Sequence, residues 1–193
     1  YWIQNRQLRE NKKTRYMINA SLKYQLFDWL DVVGRVKIDN YDNRSTYKAY
    51  ASTGTLVSGD RGTYSDTSTQ SKNTYADAIA TLNKSFNDWS VNVNLGVSLS
   101  DSRYEMIGYE GGLKLINFFA VHNIDFNKAW KAKQSGWHDQ TRAIFANAEI
   151  GWKSMIYLTA TGRNDWDSRL AFSDYKSFFY PSIGLSAILT SMF

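Results

Sequence analysis

The sequence has no cysteine, and that absence removes disulfide frameworks and thiolate metal sites. It also lacks any apolar run of about 18 residues, which excludes a transmembrane helix but not a membrane barrel, whose strands alternate and never look hydrophobic on average. The mean hydropathy of −0.47 is therefore uninformative on this point. Histidine is nearly absent too: His122 and His138 are the only imidazoles. No G-x-G-x-x-G, P-loop or H-E-x-x-H spacing occurs, and no patterned carboxylate pair accompanies either histidine, so no catalytic constellation, cofactor site or metal site is expected. The formal charge of +5 is mild and its basic residues are scattered, which argues only weakly for nucleic acid or anionic lipid, and no nucleic-acid partner is expected. The chain opens on Tyr1 with neither an initiator Met nor a leader pattern, and is expected to be a piece of a longer or processed protein.

What the chain does contain is aromatic residues, 16% of it, and long two-faced strands. From Trp89 to Ser100 every odd position is apolar, namely Trp89, Val91, Val93, Leu95, Val97 and Leu99. Every even position is Ser, Asn or Gly. Twelve extended residues reach roughly 40 Å, or about 28 Å at a 45° tilt, close to the hydrocarbon thickness of a bilayer. The same alternation on the open face of a soluble sandwich would look alike, so a soluble all-β carbohydrate-binding module remains an alternative.

The pattern repeats along the chain. It predicts strands at about 14–27, 30–41, 75–86, 89–100, 141–152, 155–165 and 178–189. Residues 1–13 read as a loop, as do the long tracts 42–74, 101–140 and 166–177. The connections at 28–29, 87–88 and 153–154 are minimal and bracketed by aromatics, whereas the alternate connections are long and polar. Outer-membrane barrels sort their loops this way, with aromatic girdles at both interfaces. Phe27, Trp29, Phe86, Trp89 and Trp152 would form the inner girdle, and Tyr16, Tyr41, Tyr75 and Tyr180 the outer one. The apolar face would meet lipid and the charged face the lumen. Seven strands left open in lipid would strand two edges of unpaired backbone, so further strands are expected outside this sequence.

Several motifs then become recognisable. TATGRNDWDS from Thr159 to Ser168, followed by YKSFFYPSIGLSAIL from Tyr175 to Leu189, resembles the barrel of SusC/RagA-type TonB-dependent outer-membrane transporters. The opening YW, the segment GGLKLINFF from Gly111 to Phe119, and the turns FDWL and FNDW are similar to that family as well. Asp167 departs from it, since Ser is common there. The resemblance covers essentially the whole chain. It implies an all-β, antiparallel transmembrane β-barrel segment, the middle portion of a plugged barrel of about 22 strands. It further implies a non-enzymatic importer of the bacterial outer membrane, carrying a glycan or oligopeptide, with a SusD-like surface lipoprotein as lid and TonB acting through a plug that these residues do not include. A passive porin and a siderophore-type receptor barrel are the other readings of the same architecture.

Candidate sites follow from both lines. Tyr104, Tyr109, Phe118, Phe119, Trp130 and Trp137 fall in the second long tract, where exposed rings could stack on sugars beside hydrogen-bonding side chains; the alternative is that they pack the tract onto itself or against a lid. Arg163, Asn164, Asp165 and Trp166 match the family motif and read as structural, organising the outer end of strand six, with Arg163 and Asp165 paired on one face. Asp165 and Asp167 suit a turn or cap better than a cation site. His138 beside Asp139 reads as loop surface.

Overall fold

A computed structural model describes residues 5–54 and 58–188. The opening Tyr1-Trp2 and Leu189 of the seventh predicted strand lie outside these described residues. The strands are β1 (Gln7–Phe27), β2 (Leu30–Ala49), β3 (Thr63–Phe86), β4 (Trp89–Gly112), β5 (Trp130–Trp152), β6 (Ile156–Asp167) and β7 (Phe178–Ala187). They form one antiparallel sheet in sequence order. Two short 3-10 turns, Val121–Asn123 and Ser168–Leu170, lie between strands.

The strands overrun their predicted outer ends. β1 starts inside the supposed loop 1–13, β2 and β3 consume most of 42–74, and β4 and β5 consume much of 101–140. The physical reason is that these extensions are polar on both faces, so no hydrophobic period marks them, while side chains form the cross-strand contacts. Between β2 and β3, Gln70 donates to Asp42 at 2.7 Å and the Arg44 guanidinium meets the Asp66 carboxylate at 3.0 and 2.6 Å. Thr63, Thr67, Thr69 and Thr74 add β-branched residues that suit extended backbone.

The chain divides into two compact units. The first takes residues 5–16, 39–54, 58–72 and 103–138. Its core is a small apolar cluster of Tyr64, Leu113 and Ile124, against which Tyr109, Phe119 and Val121 pack. The segment leaving β4 folds back through a bridge between Leu113 and Ile124. Asn123 locks it, accepting from the Leu115 N–H at 3.0 Å and donating to the carbonyls of Leu115 at 3.0 Å and Phe118 at 2.7 Å.

The second unit takes residues 17–38, 73–102 and 139–188. Its hairpins close on tight turns. At the third, Lys153 and Ser154 both hold left-handed backbone, φ 50° and 57°, and the Met155 N–H donates to the Trp152 carbonyl at 2.9 Å, the geometry of a type I′ turn. β5 and β6 then pair from Trp152 opposite Ile156 to Thr141 opposite Asp167, and β6 pairs β7 from Ile156 opposite Ala187 to Asp165 opposite Phe178. With no slip along either ladder, Ile144, Ala146, Ala148 and Ile150 share a face with Leu158, Ala160 and Gly162, and with Ile183 and Leu185. The opposite face is polar: Thr81 donates to Asn94 at 2.8 Å, Asn92 donates to Asn83, and Lys23 sits 3.1 Å from Asp31. On that face the ring of Phe145 lies over Gly96, where a Cβ would have no room.

The outer tyrosine girdle needs correction. Tyr16 lies on the apolar side of β1, where the Asn40 amide donates to its hydroxyl at 2.5 Å. Tyr41, Tyr75 and Tyr180 lie on the polar face instead. Lys13 caps the Tyr41 ring at 4.6 Å, the Tyr75 hydroxyl donates to Asp77 at 2.9 Å, and Tyr180 stands opposite Arg163. Tyr41 and Tyr75 sit at odd positions on strands whose odd positions carry the charges, and Tyr180 shares the face of Arg163 on β6; a tyrosine hydroxyl can serve either face, so residue type alone does not place it.

Candidate functional site

The polar face is organised by guanidinium–carboxylate pairs, each between neighbouring strands or along one. Arg15 on β1 grips Asp39 on β2 at 2.8 and 2.6 Å. Arg35 on β2 grips Asp77 on β3 at 2.8 and 2.7 Å. These are two-pronged contacts that fix side-chain planes as well as charge. β3 uses one local device twice: Tyr75 donates to Asp77 two residues on, and Tyr64 donates to Asp66 two residues on, at 2.9 and 3.2 Å, so that each aspartate is held by a tyrosine from its own strand and an arginine from β2. The sequence signal was the charge-bearing face of β2, which demanded partners; it did not say which carboxylates on β3 would supply them.

In the outer extensions of β2 and β3 this arrangement favours the charged forms of both partners. The hydrogen bond and charge of Arg44 hold the Asp66 carboxyl below the ordinary carboxylate value of 3.8, against the opposing effect of burial. Burial first, and then the neighbouring Asp66 carboxylate, push the Tyr64 phenol up. Hydrogen bonding to Asp66 raises Arg44 in turn. The pair thus stays ionised across the whole working range of pH.

The six aromatics proposed to contact substrate all lie in the first unit, but they are not gathered into one patch. Tyr104 and Trp137 stack on each other across β4 and β5, with centroids 6.0 Å apart. Tyr109 and Phe119 pack on the apolar cluster, and Phe119 also meets the Tyr50 ring edge-on at 4.9 Å. Phe118 packs against His122 at 5.6 Å and Trp130 against Phe126 at 4.9 Å. Every one of these rings therefore has a partner within the chain. Phe118, Trp130 and Trp137 keep an exposed side.

The motif around Arg163 splits across the sheet. Arg163 and Asp165 sit on the polar face, with Nε 2.7 Å from Oδ1, and the guanidinium covers the Phe145 ring at 5.7 Å. Asn164 and Trp166 alternate onto the apolar face, opposite Ile144 and Arg142. Asp167 caps the 3-10 turn, accepting from the Arg169 backbone N–H at 2.9 Å and from its guanidinium at 2.9 and 2.6 Å. Among the described residues no group of three His, Asp or Glu side chains makes a metal-ligand set.

No family model matches the sequence, and no curated protein does. Solved structures match its fold. The RagAB peptide transporter aligns over 96% of this chain and 21% of its own, at TM-score 0.86 and 14% identity. The RagAB peptide importer in its open-open state aligns over 96% of this chain and 20% of its own, at TM-score 0.86 and 13% identity. The siderophore receptor PiuA from Acinetobacter baumannii aligns over 91% of this chain and 29% of its own, at TM-score 0.53 and 12% identity. The chain thus spans about a fifth of the length of the RagAB chains it matches. These neighbours are transport proteins and a receptor, not enzymes. The sheet has the fold of a barrel segment of RagA-type transporters.

Proposed function

We propose that this chain is the middle portion of the β-barrel of a TonB-dependent importer in the bacterial outer membrane, with its apolar face in lipid and its face of paired charges toward the lumen. The observation that carries this reading is the fold match over 96% of the chain to a peptide transporter. The sheet agrees with it physically: one face of the second unit is predominantly apolar and exposed, and tight turns close one end of its hairpins. The cargo is a glycan or an oligopeptide, handed over with a SusD-like lipoprotein lid. The rings of Phe118, Trp130 and Trp137 are the exposed surfaces offered to cargo or lid. The plug and its TonB contact belong to sequence beyond these residues.

The test is extraction and mapping. Washed outer membranes should release this chain only into detergent, with flanking peptides of a much larger polypeptide and a co-purifying lipoprotein. A folded, detergent-free species of 22.2 kDa with nothing attached would overturn the reading in favour of a soluble carbohydrate-binding module.

A further inference from the structure

The apolar face of the second unit is not flat. An open groove of about 960 Å³ runs over the small residues Ala76 and Ala78 and is walled by Val97, Leu99 and Ile144. It is continuous, through Ala78, Val97 and Ile144, with a second groove of about 640 Å³ that extends over Ala80, Ala146 and Gly162 toward Phe179. The alanines and the glycine leave a trough where the neighbouring strands carry large side chains. Its lining of small and branched apolar side chains suits a hydrocarbon chain.

One end of the trough is polar. Gln140, Arg142 and Trp166 line it, and Arg142 stands directly opposite Trp166 in the β5–β6 ladder. Arg142 lies on the apolar face, in line with Ile144, Ala146, Ala148 and Ile150. Its guanidinium donates to the Gln140 amide oxygen at 2.9 Å and meets no carboxylate among the described residues. Asp167, also at this end, is occupied by Arg169 and Thr141. Every other arginine pair described above ends on a carboxylate, so Arg142 is the exception.

Height explains the exception. Ten residues separate Arg142 from Trp152 at the turn, about 33 Å of strand, or about 25 Å after tilt, the height of the apolar band of an outer-membrane barrel. An arginine facing lipid is costly at the midplane and nearly free at the interface. Arg142 therefore stands at the level of the headgroups, beside an indole suited to that level, with an acyl-sized trough leading away from it into the band.

We infer that this trough is a binding site for one anionic, phosphate-bearing membrane lipid, an acyl chain lying along Ala76, Ala78 and Ala146 and the phosphate on Arg142. The inference rests on the outer-membrane reading above. A guanidinium binds a lipid phosphate through two N–H donors; in phosphatidylcholine the neighbouring trimethylammonium cancels that phosphate's charge and repels the guanidinium, so charge complementarity favours a lipid of net negative charge.

The experiment uses the full-length protein purified in detergent, titrated with phosphatidylglycerol, phosphatidylcholine or inorganic phosphate, and counts retained lipids by native mass spectrometry. The wild-type protein should retain phosphatidylglycerol about fivefold better than Arg142→Gln, the effect of one basic residue at an anionic headgroup. Lys153→Gln, at the opposite end of β5, should match wild type. Ala78→Phe, which fills the trough, should lower retention of both lipids; if it fails to fold, the Arg142→Gln comparison decides alone. Equal retention by wild type and Arg142→Gln, or equal retention of the two lipids by wild type, would overturn the site. So would competition by inorganic phosphate alone, which marks a headgroup contact without a seated chain. Recovery only in detergent with no lipid preference removes this site and leaves the importer reading standing, whereas recovery without detergent removes both.

Discussion

In the first unit Ile124 is fully buried and Leu113 is 2% exposed, while in the second Ile183 is 81% and Leu22 75% exposed. The first unit buries a small apolar cluster under its own loop, locked by Asn123. The second presents a broad exposed apolar surface. Both are cut from one sheet, so the difference lies in side chains and not in strand pairing. A sheet can be stabilised by folding a loop over itself or by a solvent that is itself apolar. The first should be indifferent to the bilayer and the second should depend on it.

The largest effect expected from breaking this comparison is in the first unit. Ile124→Ala removes the most buried side chain of its cluster and should cost about 3.5 kcal/mol of local stability. Amide hydrogen exchange across residues 113–126 should report it equally in detergent and in vesicles. Leu95→Arg places a charge on the apolar face of β4 and should cost about 3 kcal/mol when refolding is measured in bilayers; a loss of the same size in the first unit, or none here, would erase the distinction. Asn123→Ala strands the N–H of Leu115 and the carbonyls of Leu115 and Phe118, for about 2 kcal/mol, seen as faster proteolysis between β4 and β5.

The smallest effect concerns pH. Asp66 titrates below its ordinary 3.8 when folded, so the Arg44–Asp66 pair contributes fully above that value and its contribution disappears as pH falls through the depressed one. Arg44 is raised, so its share is lost only at alkalinity beyond the ordinary arginine range. With Arg44 largely exposed, the pair is worth under about 1 kcal/mol. The stability advantage of wild type over Asp66→Asn, read from denaturant titrations at several pH values, should therefore be greatest near neutral pH and vanish as pH falls through the depressed value.

Much of the second unit was legible because strands with one apolar face write a period of two into the sequence, and the turns at 28–29, 87–88 and 153–154 punctuate it. The outer halves of β2 through β5 were not, because a strand wet on both faces carries no such period and its register comes from pairs such as Gln70 with Asp42. The candidate rings were legible as aromatic content only. That Tyr104 meets Trp137, or Phe119 meets Tyr50, depends on contacts between residues far apart in sequence, which composition does not encode. Arg142 went unremarked for a related reason: in β5 it reads as one polar residue before an imperfect alternation, and only the ladder to Trp166 shows which side of the sheet it occupies.

The type I′ turn at Lys153 and Ser154 makes the β5–β6 hairpin a ruler with a fixed zero. Because faces alternate residue by residue, one amino acid added at that turn would rotate everything beyond it by half a period, exchanging Leu158 and Ala160 for Tyr157 and Thr159 on the apolar side. Length changes in this hairpin can accumulate only beyond Asp167, because before Gln140 β5 runs on to Trp130 with Trp137 stacked on Tyr104 of β4. An epitope or reporter inserted there should be accepted, while the same insertion at Lys153 should abolish the folded protein.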